Sequence, residues 1–319
     1  MRWPLIRFLP RQTHFKFVKW APIAAAISAV AVLASFASLA TLGLNLGIDF
    51  KGGILIEVTT PGAAPLSGLR ASLARHGAHD PEVQGFGAPD AAMLRFKPEA
   101  GRDPVQTVNG MRTSLAQEFP GIQFKRVEAV GPKVSGELLK NGFLALGVAL
   151  VLMLGYIWFR FQLQFGLGAV LAVLHDIVLT LGLLSVLRIE FSMTSIAALL
   201  TVIGYSMNEK VITFDRLREN LRKYRRTPLR EVIDLSENER LSRTLITGST
   251  ALLALAGALI FGGPVLFPLV FTMVFGILIG TYSSVYVALP LVLVWGVRRG
   301  EDAVPLATTI KSRPAPARP

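Results

Sequence analysis

The chain has 319 residues, of which 52% are hydrophobic and 17% charged, and it carries a formal net charge of +12. This balance excludes a water-soluble globular domain and describes an integral membrane protein. The absence of cysteine excludes disulfides and thiolate metal sites, and the basic residues gather beside apolar segments rather than on one polar face, which argues against nucleic acid as a partner.

In chain order, residues 1–20 are basic (Arg2, Arg7, Arg11, Lys16, Lys19) and lead into an apolar run at 21–43. That run is longer than a signal-peptide core and reads as a retained anchor. Residues 44–138 form a polar insertion. Within it, 53–60 reads as a strand, 66–76 as a helix (Leu66, Leu69 and Leu73 on one face), 82–86 and 93–97 as strands, 105–119 as a helix (Val108, Met111, Leu115) and 122–129 as a strand. The order βαββαβ predicts a small ferredoxin-like α+β domain. No catalytic triad or carboxylate pair stands out there, so its expected role is to bind or to move. Gly47, Gly52 and Gly53 permit a tight exit from the first helix into the first strand. Asp49 either orients that junction or contacts a substrate.

Five more apolar runs follow at 141–159, 165–187, 191–214, 244–261 and 267–297, each near the ~20 residues that a bilayer core demands. Gly262, Gly263, Pro264 and Pro268 break the last uncharged stretch into a hairpin. The expected fold is therefore an α-helical membrane protein with six transmembrane helices and the outer domain inserted between the first and second. Lysines and arginines cluster in residues 1–20, 215–240 and 298–319, which puts those segments and both termini on the cytoplasmic side and residues 44–138 outside. Segment 215–240, with Leu217, Leu221, Leu229, Ile233 and Leu235, reads either as a basic amphipathic helix on an anionic lipid surface or as a solvated loop. The 298–319 tail reads as basic and disordered. Gly276 and Gly280 read as a close-packing stripe facing a partner half.

Ionisable residues inside the apolar runs carry the functional signal, because each costs roughly 2.5–3.5 kcal/mol to insert. Glu209 and Lys210 lie in the fourth run, His175 and Asp176 in the third, and Arg243 opens the fifth. This set points to movement of protons or ions. The alternatives are an ion pair that only fixes packing at Glu209, a structural hydrogen bond at Asp176 and a surface anchor at Arg243. Tyr205, one turn before Glu209, is placed to hydrogen-bond its carboxylate. His14, His76, His79 and His175 fall in no metal-binding spacing, so neither metal nor cofactor is expected.

Three stretches together carry a family resemblance: Gly47-Ile-Asp-Phe-Lys-Gly-Gly53; Leu174-His-Asp-Ile-Val178 with Gly204-Tyr-Ser-Met-Asn-Glu209 and Phe214-Asp-Arg-Leu-Arg-Glu-Asn220; and Leu241-Ser-Arg-Thr244 with Gly280-Thr-Tyr-Ser-Ser284. The chain resembles the SecF branch of the SecD/SecF family, part of the RND superfamily, over about residues 20–297. The resemblance implies a bacterial inner-membrane protein that uses the proton-motive force to assist preprotein translocation, without covalent chemistry. It implies a SecD-like partner subunit, association with the SecYEG translocon, YajC and YidC, preprotein substrates and contact with membrane lipids. The family's proton-path aspartate and arginine map onto Glu209 and Arg243, with Asp176 nearby and Gly204, Tyr205 and Asn208 completing the helix-four motif. Asp49, Gly52 and Gly53 match the helix-one exit motif.

This chain has Glu209-Lys210 where the family has Asp-Thr. A nearby ammonium would hold the glutamate ionised, unless the ~100° between helical neighbours turns Lys210 elsewhere, for example to the inner surface. The alternatives to a proton-driven subunit are a half-length RND exporter of lipids or small solutes and a passive translocon scaffold.

Overall fold

The computed structural model describes residues 13–98, 104–160 and 163–297; Arg2, Arg7, Arg11 and the expected basic tail at 298–319 lie outside these. The first helix, α1 (Phe17–Thr41), is apolar nearly all round. Its buried positions are all small (Ala21, Ala24, Ser28, Ser35, Ser38), whereas Ile23, Ile27, Val30 and Leu33 point outward. That is the pattern of a helix in lipid, where backbones approach along small residues and bulky ones meet acyl chains.

The outer domain begins with a two-residue strand β1 (Asn45–Leu46) and a single turn α2 (Ile48–Lys51). There follow β2 (Gly53–Thr59), α3 (Leu66–Arg75), β3 (His79–Phe86), β4 (Ala88–Lys97), α4 (Pro104–Glu118) and β5 (Gln123–Val130). The strands form an antiparallel sheet in the order β3-β4-β2-β5. Ile54, Ile56, Val58 and Leu94 on one sheet face bury against Leu69, Leu73, Met111 and Leu115 of the two helices. The opposite face buries Leu55 and Met93 with Ile48 and Val130, and holds Glu57 beside Arg126 and Arg95 beside Glu190.

The remaining helices are α5 (Pro132–Arg160), α6 (Leu163–Val186), α7 (Met193–Lys223), α8 (Leu229–Phe261) and α9 (Gly263–Ser283). A π-helical segment (Ser284–Ala288) then joins α9 to α10 (Leu289–Trp295). Among the described residues five helices are long and apolar enough to cross a membrane: α1, α5, α6, α8 and the continuous α9–α10 rod. The expected fourth span, α7, has the length, but its central polar residues exclude it on composition, and it is packed among α5, α6, α8 and α9.

Two expectations are corrected. Segment 215–240 is neither a separate surface helix nor a loop. It is the end of α7 and the start of α8 joined by a short turn, and its apolar residues Leu217, Leu221, Leu229 and Ile233 are buried with Phe165, Phe214 and Leu289. The Gly276–Gly280 stripe faces α7 of the same chain: a Cβ at Gly276 would collide with Val202, and one at Gly280 would crowd Ser206. A second small sheet, absent from the sequence reading, pairs β1 in parallel with β6 (Glu190–Phe191), two residues before α7. Two-residue strands carry too little alternation to be seen in sequence.

Gly276→Val is expected to lower stability by roughly 1–3 kcal/mol through overpacking, read as a lower thermal midpoint in detergent. Gly204→Ala, where nothing lies within 4 Å, leaves that midpoint in place. On β6, burial pushes the Glu190 carboxyl above its ordinary value, against the opposing pull of Arg95. The folded chain thus holds this proton more tightly than the unfolded one, so the group's contribution is full below the unfolded pKa and is lost as pH rises through the folded pKa. Between about pH 4.3 and neutrality the midpoint of Glu190→Gln should therefore fall less than that of the unsubstituted chain; equal slopes would refute the assignment.

Candidate functional site

Helix α7 presents Glu209 and Lys210 at successive positions, about 100° apart around its axis, and the two side chains enter different neighbourhoods. Lys210, fully buried, turns toward α6 and α9. Its Nζ lies 2.9 Å from Asp176 Oδ2 and donates to the hydroxyls of Ser206 (2.6 Å) and Ser283 (2.9 Å). Both hydroxyls in turn donate to Asp176 Oδ2, at 2.6 and 2.7 Å. The other carboxylate oxygen, Oδ1, lies 2.9 Å from His175 Nδ1, and the His175 ring stacks on Tyr282.

Glu209 turns toward α8. Its Oε2 accepts from Arg240 Nη1 at 3.3 Å and from the Thr244 hydroxyl at 3.1 Å. Arg240 is itself clamped by Glu237, through Nε to Oε1 and Nη2 to Oε2, both at 2.7 Å, and donates to Thr244 (2.8 Å) and to Ser284 (2.9 Å). Asp176, Glu209, Lys210, Glu237 and Arg240 are all buried. Ser283 and Ser284, adjacent in sequence, each accept from a different cation, and the π-helical segment starts at the second of them. A π-turn widens the helix locally and frequently marks a functional position.

Among the buried charged side chains of the described helical bundle there are three carboxylates (Asp176, Glu209, Glu237) and two cations (Lys210, Arg240), a formal charge of 2 − 3 = −1 when all are ionised. Serine and threonine hydroxyls stand where water would otherwise solvate these groups. Burial of an uncompensated charge is costly, so such a set is suited to holding an exchangeable proton.

The predicted residues are not all brought together. Glu209, Lys210 and Asp176 share the interior, but Arg243 is exposed on α8, and the arginine that meets Glu209 is Arg240. The two arginines are three residues and about 60° apart on α8, and the packing against α7 covers Arg240 while leaving Arg243 at the uncovered edge. The Tyr205 hydroxyl is buried beside Gly248 and makes no hydrogen bond to Glu209. Gly204 and Asn208 are exposed, on the same outward stripe of α7 as Thr194, Ala197 and Thr201. Asp49, Gly52 and Gly53 lie between α1 and β2, at the end of the bundle that carries the inserted domain, where Asp49 Oδ2 accepts the Met193 backbone N–H at 2.8 Å. The sequence reading missed Arg240, Glu237, Ser206, Thr244, Ser283 and Ser284. A signal for three of them existed in the i, i+3, i+7 spacing of Glu237, Arg240 and Thr244, which puts one acid, one base and one hydroxyl on a single helix face.

Residues 111–298 match the family described as protein export membrane protein SecD/SecF, C-terminal, and residues 37–60 match the SecD/SecF GG motif. The chain is 43% identical over 306 residues to the protein translocase subunit SecF of Cereibacter sphaeroides, covering 92% of this chain and 94% of that protein. It belongs to the SecD/SecF family. The SecF subunit of Rhodobacter capsulatus is 42% identical, with 93% of each chain covered. The crystal structure of SecDF, a translocon-associated membrane protein from Thermus thermophilus, superposes with a TM-score of 0.82 at 32% identity. That match covers 92% of this chain and 40% of the SecDF chain, so this SecD/SecF member spans well under half the length of that relative.

The geometry separates Lys210 from Glu209 and pairs it with Asp176. Replacing one member of a buried pair strands the other and costs roughly 3–5 kcal/mol. Lys210→Met is therefore expected to destabilise strongly, and Lys210→Met with Asp176→Leu to recover much of the loss. A thermal-unfolding double-mutant cycle checks this. Coupling of Lys210 to Glu209 instead of Asp176 would contradict the arrangement.

Proposed function

We propose that the chain is the SecF-type subunit of a SecD–SecF complex in the bacterial inner membrane, where it uses the proton-motive force to assist preprotein translocation, without covalent chemistry. The observation that carries this reading is the buried set of three carboxylates on two cations. The translocation role is supported by the names of its relatives, protein translocase subunit SecF and translocon-associated SecDF. In this reading α7 is the sixth span, shielded from lipid by its neighbours on all but one stripe, and the outer domain is ferredoxin-like and periplasmic. Both termini are cytoplasmic, and SecYEG, with YajC and YidC, is the neighbouring machinery.

A partner half is required by what α7 and α8 leave uncovered. The outward stripe Thr194, Ala197, Thr201, Gly204 and Asn208 is small and polar, and Arg243 stands exposed on α8. A polar surface at membrane depth suits a protein neighbour rather than acyl chains. A SecD-like subunit seated there would bring Arg243 into the relay from the partner's side.

The mechanism runs through Glu209. When its carboxylate takes a proton, two carboxylates remain on two cations, Arg240 stays with Glu237, and the tie between α7 and α8 loosens. Release of the proton restores the tie. Each charge crossing the membrane supplies about 2.3 kcal/mol per 100 mV, so several protons per cycle suffice to drive repacking of the helices.

The test is gradient-driven completion of preprotein translocation in vesicles containing this chain and its SecD partner. Glu209→Gln should reduce the rate to that seen without a gradient while the complex still assembles. A gradient-dependent rate that survives the substitution would remove Glu209 from the proton path and favour a passive scaffold.

A further inference from the structure

The outer domain and the helix that carries the ion cluster meet in one compact joint. β1 pairs in parallel with β6, Asn45 opposite Glu190 and Leu46 opposite Phe191. The Gly47 N–H continues this ladder to the Phe191 carbonyl at 2.9 Å. The next turn, α2, places Asp49 so that Oδ2 accepts the N–H of Met193, the first residue of α7, at 2.8 Å. A carboxylate at that position meets both an unsatisfied backbone donor and the positive end of the helix dipole. Phe50 of the same turn packs on Phe191, with ring centroids 5.7 Å apart, in a cluster that includes Ile196 and Leu199 of α7.

From the domain side, Arg95 on β4 forms an ion pair with Glu190 on β6, and the Arg95 side chain is almost wholly buried. Gly47 is held so close that a Cβ there would sit 2.5 Å from Glu190 Oε1. After α2, Gly52 and Gly53 adopt φ of +69° and +118°, and the chain enters β2, a central strand of the sheet. The sheet is thus tied to the first residue of α7 through two short routes, Asp49 and Arg95–Glu190. From there α7 runs without proline to Glu209, 16 residues or about 24 Å along one helix.

We infer that Asp49, with the Arg95–Glu190 pair, is the positioning joint that passes movement of α7 to the outer domain. Asp49 touches none of the ionised groups of the interior; it fixes where the α7 end is held against the sheet. A displacement or rotation of α7 set by the charge state around Glu209 reaches the domain here; α5 also packs on α2, with Leu139 in the Phe50 cluster and Ser135 beside Gly52, but it carries neither Glu209 nor Lys210. The inference rests on the proposed function, in that the charge at Glu209 must move α7.

The chain contains no cysteine, so spin-labelled pairs can be introduced without background. One pair, exposed Ser67 on α3 and Phe261 at the end of α8, reports the domain against the bundle. A second, exposed Val151 on α5 and Arg222 on α7, reports the bundle alone. Distances are measured in the assembled complex with its SecD partner, with and without Glu209→Gln. With Asp49 intact, Glu209→Gln should shift both distances. With Asp49→Ala it should shift the bundle pair and leave the domain pair unmoved, and Asp49→Asn, which keeps an acceptor for Met193, should restore the domain shift. Glu190→Gln provides the same comparison from the other side of the joint, should Asp49→Ala not assemble. If the domain pair shifts equally with Asp49→Ala and with Glu190→Gln, the joint is refuted while the relay stands. If Glu209→Gln moves neither pair, the relay reading fails and the joint has no movement to carry.

Discussion

Charge buried at membrane depth is the constraint on which the rest of this structure depends. Removing an ion from water costs several kcal/mol even after relaxation, and lipid offers no partner in exchange. Five ionisable side chains therefore have to be solvated by protein. The bundle does so with each other's charges and with four hydroxyls: Ser206 on α7, Thr244 on α8, Ser283 at the end of α9 and Ser284 at the start of the π-helical segment. The same need explains why α7 is packed against α5, α6, α8 and α9 on all but one stripe although it is too polar for an ordinary span. It also explains the glycines of α9, since Gly276 and Gly280 let that helix approach α7 closely enough for Ser283 to reach Lys210.

Helical geometry separates the Lys210 ammonium from Glu209, the residue proposed to carry the proton. Adjacent residues diverge by about 100°, so Lys210 becomes the counter-ion of Asp176 on one side of α7 while Glu209 faces Arg240 on the other. The two subsites communicate at Ser283–Ser284, where one hydroxyl accepts from Lys210 and the next from Arg240. A π-helical turn is a natural place for such a link. Its extra residue per turn can be gained or lost by a small change in register, and here it starts beside both cations.

The domain is fastened to this machinery by short-range polar contacts set beside the apolar cluster of Phe50, Phe191, Ile196 and Leu199. A two-residue parallel ladder, a carboxylate on a helix N-terminus and one ion pair hold it to α7, and all three fall within residues 45–53, 95 and 190–193.

Local information determined a good part of this. Apolar runs near 20 residues gave most of the helices, the Leu66-Leu69-Leu73 and Val108-Met111-Leu115 spacings gave the two domain helices, and Gly262-Gly263-Pro264 gave the break before α9. The cost of charge in lipid singled out Asp176, Glu209 and Lys210. Pairing was another matter, because it depends on azimuth and on which helices touch, and neither is written in a single segment. Arg243 was named because it matches the family's arginine at the start of the fifth apolar run, yet the tertiary arrangement turns Arg240 inward and Arg243 outward. For the same reason the glycine stripe of α9 met α7 rather than another subunit, Asp49 found the end of a helix 144 residues away, and residues 215–240 became buried helix ends. The sequence by itself determined which residues must escape lipid; only the packing of the helices decided with whom each of them does so.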